Sequence, residues 1–403
     1  MRILFLTPDL PIPARKGTAM RNSSLLRAAA RRHEVALVSF AGDGVSVDPE
    51  LREICERVDT VTLHAPSTAS RIAGLASLQP DMARRFRSDA MADLVRTQIE
   101  RFRPEVIQTE GLELEALLRV ANEDGRGATI LDEHNCQHGL TLSAIEQDGA
   151  SRGPRAIWSR LQLPRVRRFE RWACRTADVV IAVSEDDASC LRALDERITL
   201  TVVPNGVDMP PLADLGRRPA DPPRLLFAGT MDYRPNVDGI SWFVREIWPR
   251  LEREGIALDI VGRDPVPSVR ALAGPGVSVV GGVPSMAPYL SRAAAAVIPI
   301  RSGGGSRLKV LEAMAAGVPV VSTSVGMAGV AATPGLHHLC ADDPEVFAEA
   351  IRRTLADPAG AQERARAARA LVESTYDMSA VVRAHEAALE LAVREHARKL
   401  RGA

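Results

Sequence analysis

Cysteine is scarce and scattered. Cys55, Cys136, Cys174, Cys190 and Cys340 are spread over 403 residues without a C-x-x-C pair. That spacing argues against zinc and against a disulfide framework, and it reads as buried apolar thiols in a reducing cytosol. Net charge is absent as well. The 51 Lys and Arg balance 51 Asp and Glu, so overall electrostatics call for no nucleic-acid partner. No run reaches the roughly 18 apolar residues of a membrane span. The opening MRILFLTPDL has one Arg and a very short apolar stretch before Asp9, too little for a secretory leader. The loop after the first apolar run has no G-x-G-x-x-G, which counts against a classical NAD-binding domain. Low-complexity tracts and short-period repeats are missing too. The expectation is a soluble, cytoplasmic chain.

What the chain does contain is a steady alternation of short β-rich runs and helical patterns, the mark of βαβ units and parallel sheets. In the first half the runs are Ile3 to Leu6, HEVALVSF, VDTVTLHA, EVIQT, ATILDE, DVVIAVS and ITLTVVPNGVD. In the second they are RLLFAG, IALDIVG, VSVVGG, AAAVIPI and VPVVSTS. Between them the proline-rich MPPLADLGRRPADPPR reads as a connection. The expected fold is α/β, two Rossmann-like doubly wound parallel-sheet domains. The first spans residues 1–211, a linker 212–223, and the second 224–375. Residues 376–403 form a terminal helix, with Val381, Val382, Ala388, Leu389 and Ala392 inward, packing back on the first domain.

Ligands of open α/β sheets sit at the carboxyl ends of strands, which directs attention to the following loops. The densest is RSGGGSRLKVLEAMAAGVPVVST, residues 301–323. Gly303, Gly304 and Gly305 allow close backbone approach to a ligand and empty into a helix expected from about Ser306 to Ala316, stopped by Gly317. Unpaired amides at its start, with Arg307 and Lys309, make an anion site of the kind that holds a pyrophosphate, and Glu312 is placed to accept from a ribose diol. The plainer reading of Lys309 and Glu312 is a helix-surface ion pair.

Other strand ends offer weaker signals. Gly17 and Thr18 open a helix that could meet a phosphate or an acceptor. DEHNCQH, residues 132–138, supplies His134 for a sugar hydroxyl or anomeric centre, against a plainer reading in which Asn135 or Asp132 caps the next helix. Ser184 with Asp187 looks like a helix cap. Arg234 could reach a phosphate or lie on the surface, and Gly262 and Arg263 could wall a nucleobase. The Arg-rich stretch 152–171, interleaved with Trp158 and Phe169 and followed by Trp172, reads as a solvated helix flank, with contact to an anionic membrane surface as the second reading. No ligand set with metal spacing stands out.

PNGVD (204–208), FAGTMDYRPN, IVGRD and GGGSRLKVLEAMAAGVPVVST together resemble the retaining GT-B glycosyltransferases of family four. The resemblance covers most of the chain and is strongest between Asn205 and Thr323. It implies two facing Rossmann-type domains, with a nucleoside diphosphate sugar held mainly by the second and the acceptor mainly by the first, and metal-independent transfer with retention and no cofactor. By position it implies Glu312 as the ribose ligand, amides of Ser306, Arg307 and Leu308 for the diphosphate, Arg234 with Lys309 or Arg307 as cations, and His134 near the reacting centre. Many members carry a second Glu eight residues before the ribose Glu; here that position is Gly304. The resemblance therefore leaves open the donor base and sugar, and whether the acceptor is a sugar, a lipid-linked sugar or a small natural product. Two alternatives stand beside it: a sugar-nucleotide 2-epimerase on the same scaffold, and a catalytically silent sugar-nucleotide-binding protein.

Overall fold

The computed structural model describes residues 1–14, 17–63, 79–148, 154–210, 216–303 and 308–402. By internal contacts the chain divides into two units, Met1–Pro204 with Val381–Ala403, and Asn205–Ala380.

The first unit runs β1 (Arg2–Thr7), α1 (Gly17–Ala30), β2 (Glu34–Ala41), α2 (Pro49–Ile54), β3 (Arg57–Thr62), α3 (Asp81–Arg85), α4 (Asp89–Phe102), β4 (Val106–Glu110), α5 (Glu115–Asp124), β5 (Ala128–Glu133), α6 (Gln137–Asp148), α7 (Pro154–Thr176), β6 (Val179–Ala182), α8 (Glu185–Arg192) and β7 (Leu200–Val202). Its seven strands lie in the order β3-β2-β1-β4-β5-β6-β7, and every pairing is parallel. Helices cover both faces of such a sheet, so its central strands are apolar on both sides. Ile3, Leu4, Phe5 and Leu6 are accordingly all fully buried.

The second unit repeats the pattern: β8 (Arg224–Ala228), α9 (Arg234–Trp242), β9 (Ala257–Val261), α10 (Pro267–Arg270), β10 (Val277–Gly281), α11 (Ala287–Arg292), β11 (Ala293–Ile298), α12 (Leu308–Ala315), β12 (Val320–Ser322), β13 (Leu339–Cys340), α13 (Pro344–Ala356) and α14 (Pro358–Thr375). The strand order is β10-β9-β8-β11-β12-β13, again all parallel. β13 has no counterpart among the expected strands, because two residues are too few to leave a pattern in the sequence.

The last helix, α15 (Met378–Gly402), returns to the first unit. Val381, Ala388, Leu389 and Ala392 join the cluster formed by Ile3, Phe5, Leu37 and Ile130, whereas Val382 is only half-buried. In both units the strand order reverses beside the first strand, at β1/β4 and at β8/β11. Crevices at such reversals, beyond the carboxyl ends, are where ligands of this topology bind.

Candidate functional site

In the second unit the crevice is shaped by two glycines. A Cβ on Gly262, just after β9, would fall 1.5 Å from the carbonyl oxygen of Gly229, just after β8. The two strand ends can therefore approach this closely only without side chains. A Cβ on Gly229, at φ +154, would lie 2.7 Å from both Asn236 Nδ2 and Lys309 Nζ. The space these glycines leave is taken by a cation. Lys309 Nζ donates to Asn236 Oδ1 at 2.5 Å and lies 4.8 Å from the centre of the Phe227 ring, while Asn236 Nδ2 donates to the carbonyl of Thr230 at 2.8 Å.

Lys309 is held there by the far side of its helix. Val310, Leu311 and Met314 of α12 are fully buried, and side chains of this size contribute about 1.5–3 kcal/mol each on burial. Gly317, at φ +66, ends the helix as expected, since a left-handed residue just past the last turn costs glycine little. Glu312 is half-buried on the same helix and makes no hydrogen bond or ion pair among the described residues. Burial raises its pKa above the usual carboxylate value, with the Lys309 charge opposing. The helix-surface ion pair between the two is thus not formed: Lys309 turns to Asn236, whose buried amide is the better-placed acceptor. Asn236 was not among the expected residues, and only the Pro-Asn helix start of α9 hints at it.

The remaining expected residues of this unit divide three ways. Leu308 is the first residue of α12 and packs against the core. Gly304, Gly305, Ser306 and Arg307 lie outside the described residues. Arg234 opens α9, exposed and with no ion-pair partner among the described residues. Arg263 is exposed, and its carbonyl accepts from Met231 N at 2.8 Å. Beside them Arg301 pairs with Asp238 at 2.8 Å and stacks on Trp242 at 5.3 Å.

In the first unit a buried polar chain converges on the end of β5. His134 Nε2 lies 3.0 Å from Glu110 Oε2 at the end of β4. Gln108 Nε2 donates to Glu110 Oε1 at 2.7 Å, and Gln108 Oε1 accepts from His385 Nε2 of α15 at 2.8 Å. Asn22, with its amide oriented to satisfy its neighbours, donates to Glu110 Oε2 at 2.9 Å and to the carbonyl of Thr18 at 3.1 Å. Beside this chain Arg21 donates to both oxygens of Asp132, each at 3.0 Å, and to the carbonyl of Pro204 at 3.1 Å. Gly17 and Thr18 begin the helix that carries Arg21 and Asn22.

Electrostatics differ sharply along the chain. Burial disfavours a charge on His134, but the hydrogen bond to Glu110 and the nearby Asp132 and Glu110 charges outweigh it, leaving its pKa above the ordinary histidine value. His385 is pushed down to about 4 by burial, so it is neutral and its Nε2 donates. Burial raises Asp132 although Arg21 opposes it. Glu133 is raised well above the carboxylate range by burial and by the facing Glu170.

The plainer alternative, in which Asn135 or Asp132 caps the helix after β5, is not what the structure shows. The amides of Gln137 and His138 donate to Glu170 of α7 at 2.5 and 3.0 Å, because Asp132 is already committed to Arg21. Ser184 does cap α8, accepting from Asp187 N at 3.1 Å. In α7, Val166, Phe169 and Ala173 are buried and Arg171 and Arg175 pair with Asp195, so this part of the basic stretch is a solvated helix flank. Trp158 and Trp172 are partly exposed. Arg21 and Glu110 escaped the sequence reading because each lies among unremarkable helix or strand residues, and only the fold gives them partners.

Two family descriptions match this chain in tandem: Glycosyltransferase Family 4 over residues 16–209 and Glycosyl transferases group 1 over residues 222–357. The chain belongs to the group 1, family 4 glycosyltransferases. As a family 4 member it is 33% identical over 244 residues to the glycogen synthase of Mycobacterium tuberculosis, covering 54% of this chain and 55% of that protein. It thus spans about half the length of the curated relatives it matches. Among solved structures, the sucrose-phosphate synthase of Thermosynechococcus elongatus matches with a TM-score of 0.69 at 19% identity, over 96% of this chain and 98% of that one. Anabaena HepE, solved in complex with UDP, matches at 0.66 and 14% identity, over 97% of this chain and 100% of that one. At these identities the two structures establish the GT-B fold. No helix among the described residues is long and apolar enough to cross a membrane.

Proposed function

We propose that this family 4 member is a cytoplasmic glycosyltransferase that moves a hexose-type sugar from a nucleoside diphosphate sugar to an acceptor hydroxyl, with retention and without a metal. The observation that carries this reading is the pair Lys309 and Glu312. They put a fixed ammonium and a half-buried carboxylate with no hydrogen-bond or ion-pair partner among the described residues on one short helix at the strand reversal of the second unit. An ammonium beside a strand-end crevice suits a diphosphate, and preorganised charge of this kind stabilises a departing diphosphate by several kcal/mol in a dry cleft. A carboxylate with unused lone pairs suits the two hydroxyls of a ribose. Anabaena HepE, which shares the fold, is recorded with UDP, with UDP and glucose, and with UDP-glucose, which supports a uridine nucleotide as the first donor to try.

In this reading the amides of Ser306, Arg307 and Leu308, together with Gly304 and Gly305, receive the diphosphate. Arg234 adds charge, Gly262 and Arg263 line the base, and Gly17 and Thr18 serve an acceptor or phosphate. His134 acts at the reacting sugar. Its bond to Glu110 fixes the ring so that one nitrogen is committed and the other is left for a hydroxyl. The acceptor is a sugar, a lipid-linked sugar or a small natural product.

The test is a thermal-shift panel of UDP-, GDP-, dTDP- and ADP-sugars, followed by titration of the best ligand into Glu312→Ala. Loss of a charged hydrogen-bond partner should weaken binding by about 1–3 kcal/mol, roughly 5- to 150-fold. Unchanged affinity overturns the ribose assignment. Incubation with UDP-N-acetylglucosamine and no acceptor separates transfer from 2-epimerisation, since only an epimerase changes the sugar. Binding of a donor without turnover on any acceptor would favour a silent binding protein.

A further inference from the structure

A second cluster in the first unit takes no part in the proposed transfer. Cys136 lies just before α6, His138 in its first turn, and Cys190 in α8. One donor atom from each falls within 4.8 Å of the other two. His138 Nδ1 is 2.7 Å from Glu170 Oε2 and 3.2 Å from Cys136 Sγ; His138 Nε2 is 3.5 Å from Cys190 Sγ. Sequence spacing hides this grouping, since 52 residues separate His138 from Cys190.

Four features fit these groups to a soft divalent cation. Glu170 is fully buried and its Oε2 accepts from the His138 amide and faces Nδ1, so Nδ1 carries the proton and Nε2 keeps its lone pair for a ligand. That carboxylate–imidazole arrangement is the one that usually orients a metal-binding histidine. Second, with Zn–S about 2.3 Å and Zn–N about 2.0–2.1 Å, donors of a tetrahedral site stand roughly 3.6–3.8 Å apart. The Cys190 Sγ to His138 Nε2 separation of 3.5 Å is close to this value, and donors within 4.8 Å of one another reach it by a contraction of about 1 Å, in which Cys136 Sγ moves from the Nδ1 side of the ring toward Nε2. Third, two thiolates and a neutral imidazole cancel the charge of a divalent ion, as a half-buried position requires. Fourth, the backbone leaves room for the sulfurs. A Cβ on Gly139 would stand 2.8 Å from Cys190 Sγ and 3.4 Å from Cys136 Sγ, while Asp187 of α8 accepts from Cys136 N at 2.8 Å and locks the two elements together.

We infer that Cys136, Cys190 and His138 Nε2 bind one zinc-type ion that braces the start of α6 against α8, with Glu170 orienting the imidazole. The fourth position is open to water. Two of its ligands, Cys136 and His138, lie two and four residues beyond His134 in sequence, so the ion tightens the segment that follows His134 without entering the transfer.

Cobalt(II) tests this directly. Full-length protein is reduced, stripped with chelator and titrated with Co²⁺. One equivalent per chain should bind, with intense thiolate-to-cobalt absorption in the near ultraviolet and the strong visible bands of a tetrahedral ion, and Zn²⁺ should bleach them. Cys136→Ser and Cys190→Ser should each remove most of the near-ultraviolet band. Glu170→Gln should keep the spectrum and weaken affinity about 10- to 100-fold. The wild-type spectrum does not depend on whether any variant folds. Absence of thiolate absorption at one equivalent overturns the assignment, as does a spectrum unchanged in both cysteine variants. A purified chain lighter by two hydrogens that takes up no cobalt until reduced, and none afterwards, would instead mark Cys136 and Cys190 as a disulfide pair and overturn it as well.

Discussion

Replacing Arg21 by Met keeps the unbranched apolar stem of the side chain and removes its charge from one of the most buried ion pairs among the described residues. Arg21 and Asp132 side chains are 3% and 0% exposed, and the guanidinium donates to both Asp132 oxygens and to the Pro204 carbonyl. Asp132 then has two courses, to remain ionised without a partner or to take up a proton. Burial already raises its pKa against the pull of Arg21, so without Arg21 protonation is the cheaper course. A carboxyl with an unfolded pKa near 3.9, forced neutral at pH 7, costs at most about 4 kcal/mol at about 1.4 kcal/mol per pH unit. The same estimate at pH 5 gives about 1.5 kcal/mol. The first figure falls in the range of about 3–5 kcal/mol typical of breaking a buried pair on one side.

The sign follows from the direction of the shift. A carboxyl whose folded pKa lies above its unfolded one withdraws stability as pH rises from the unfolded value through the folded one. Urea unfolding of Arg21→Met and wild type, followed by circular dichroism at pH 5, 6, 7 and 8, should show a deficit that grows with pH. Arg21→Met combined with Asp132→Asn should recover much of it, since a neutral amide has no charge to strand. A deficit independent of pH, or one below about 1 kcal/mol at pH 7, would refute the reasoning.

Two further outcomes follow from neighbouring contacts. Glu110→Gln removes the carboxylate that favours the charged form of His134, so its imidazole pKa should fall from its raised value. Proton NMR of the ring reads this. Because a raised histidine pKa stabilises the fold below the unfolded value and loses that contribution as pH rises through the folded value, the variant should also lose part of its stability advantage near pH 6. Gly262→Ala puts a methyl where the Gly229 carbonyl stands, 1.5 Å away. It should destabilise the second unit by about 1–3 kcal/mol and weaken the proposed nucleotide binding through displaced Lys309; unchanged melting would contradict the strand-end geometry.

The parallel sheets were readable because a strand covered on both faces must be apolar throughout, and that requirement is local. Phe5 and Ile130 announce themselves within four or five residues of chain. The same holds for Gly317, which ends α12 by donating to the Met314 carbonyl, and for Ser184, which caps α8 by accepting from the Asp187 amide: each partner is three residues away. Strand β13 fell below this threshold.

What the sequence determined by itself was therefore the alternation of strand and helix, the doubled Rossmann-like plan, and the short helix with Lys309 and Glu312 about one turn apart. Tertiary structure decided which polar groups meet. Lys309 faces Asn236 rather than Glu312; Arg21 is paired with a carboxylate 111 residues away; His134 is tied through Glu110 and Gln108 to His385 on the last helix; and cysteines that look unrelated close around His138. Hydrogen bonds and charges act over a few ångströms in space regardless of separation along the chain. Their partners exist only once the sheets have placed the strand ends side by side.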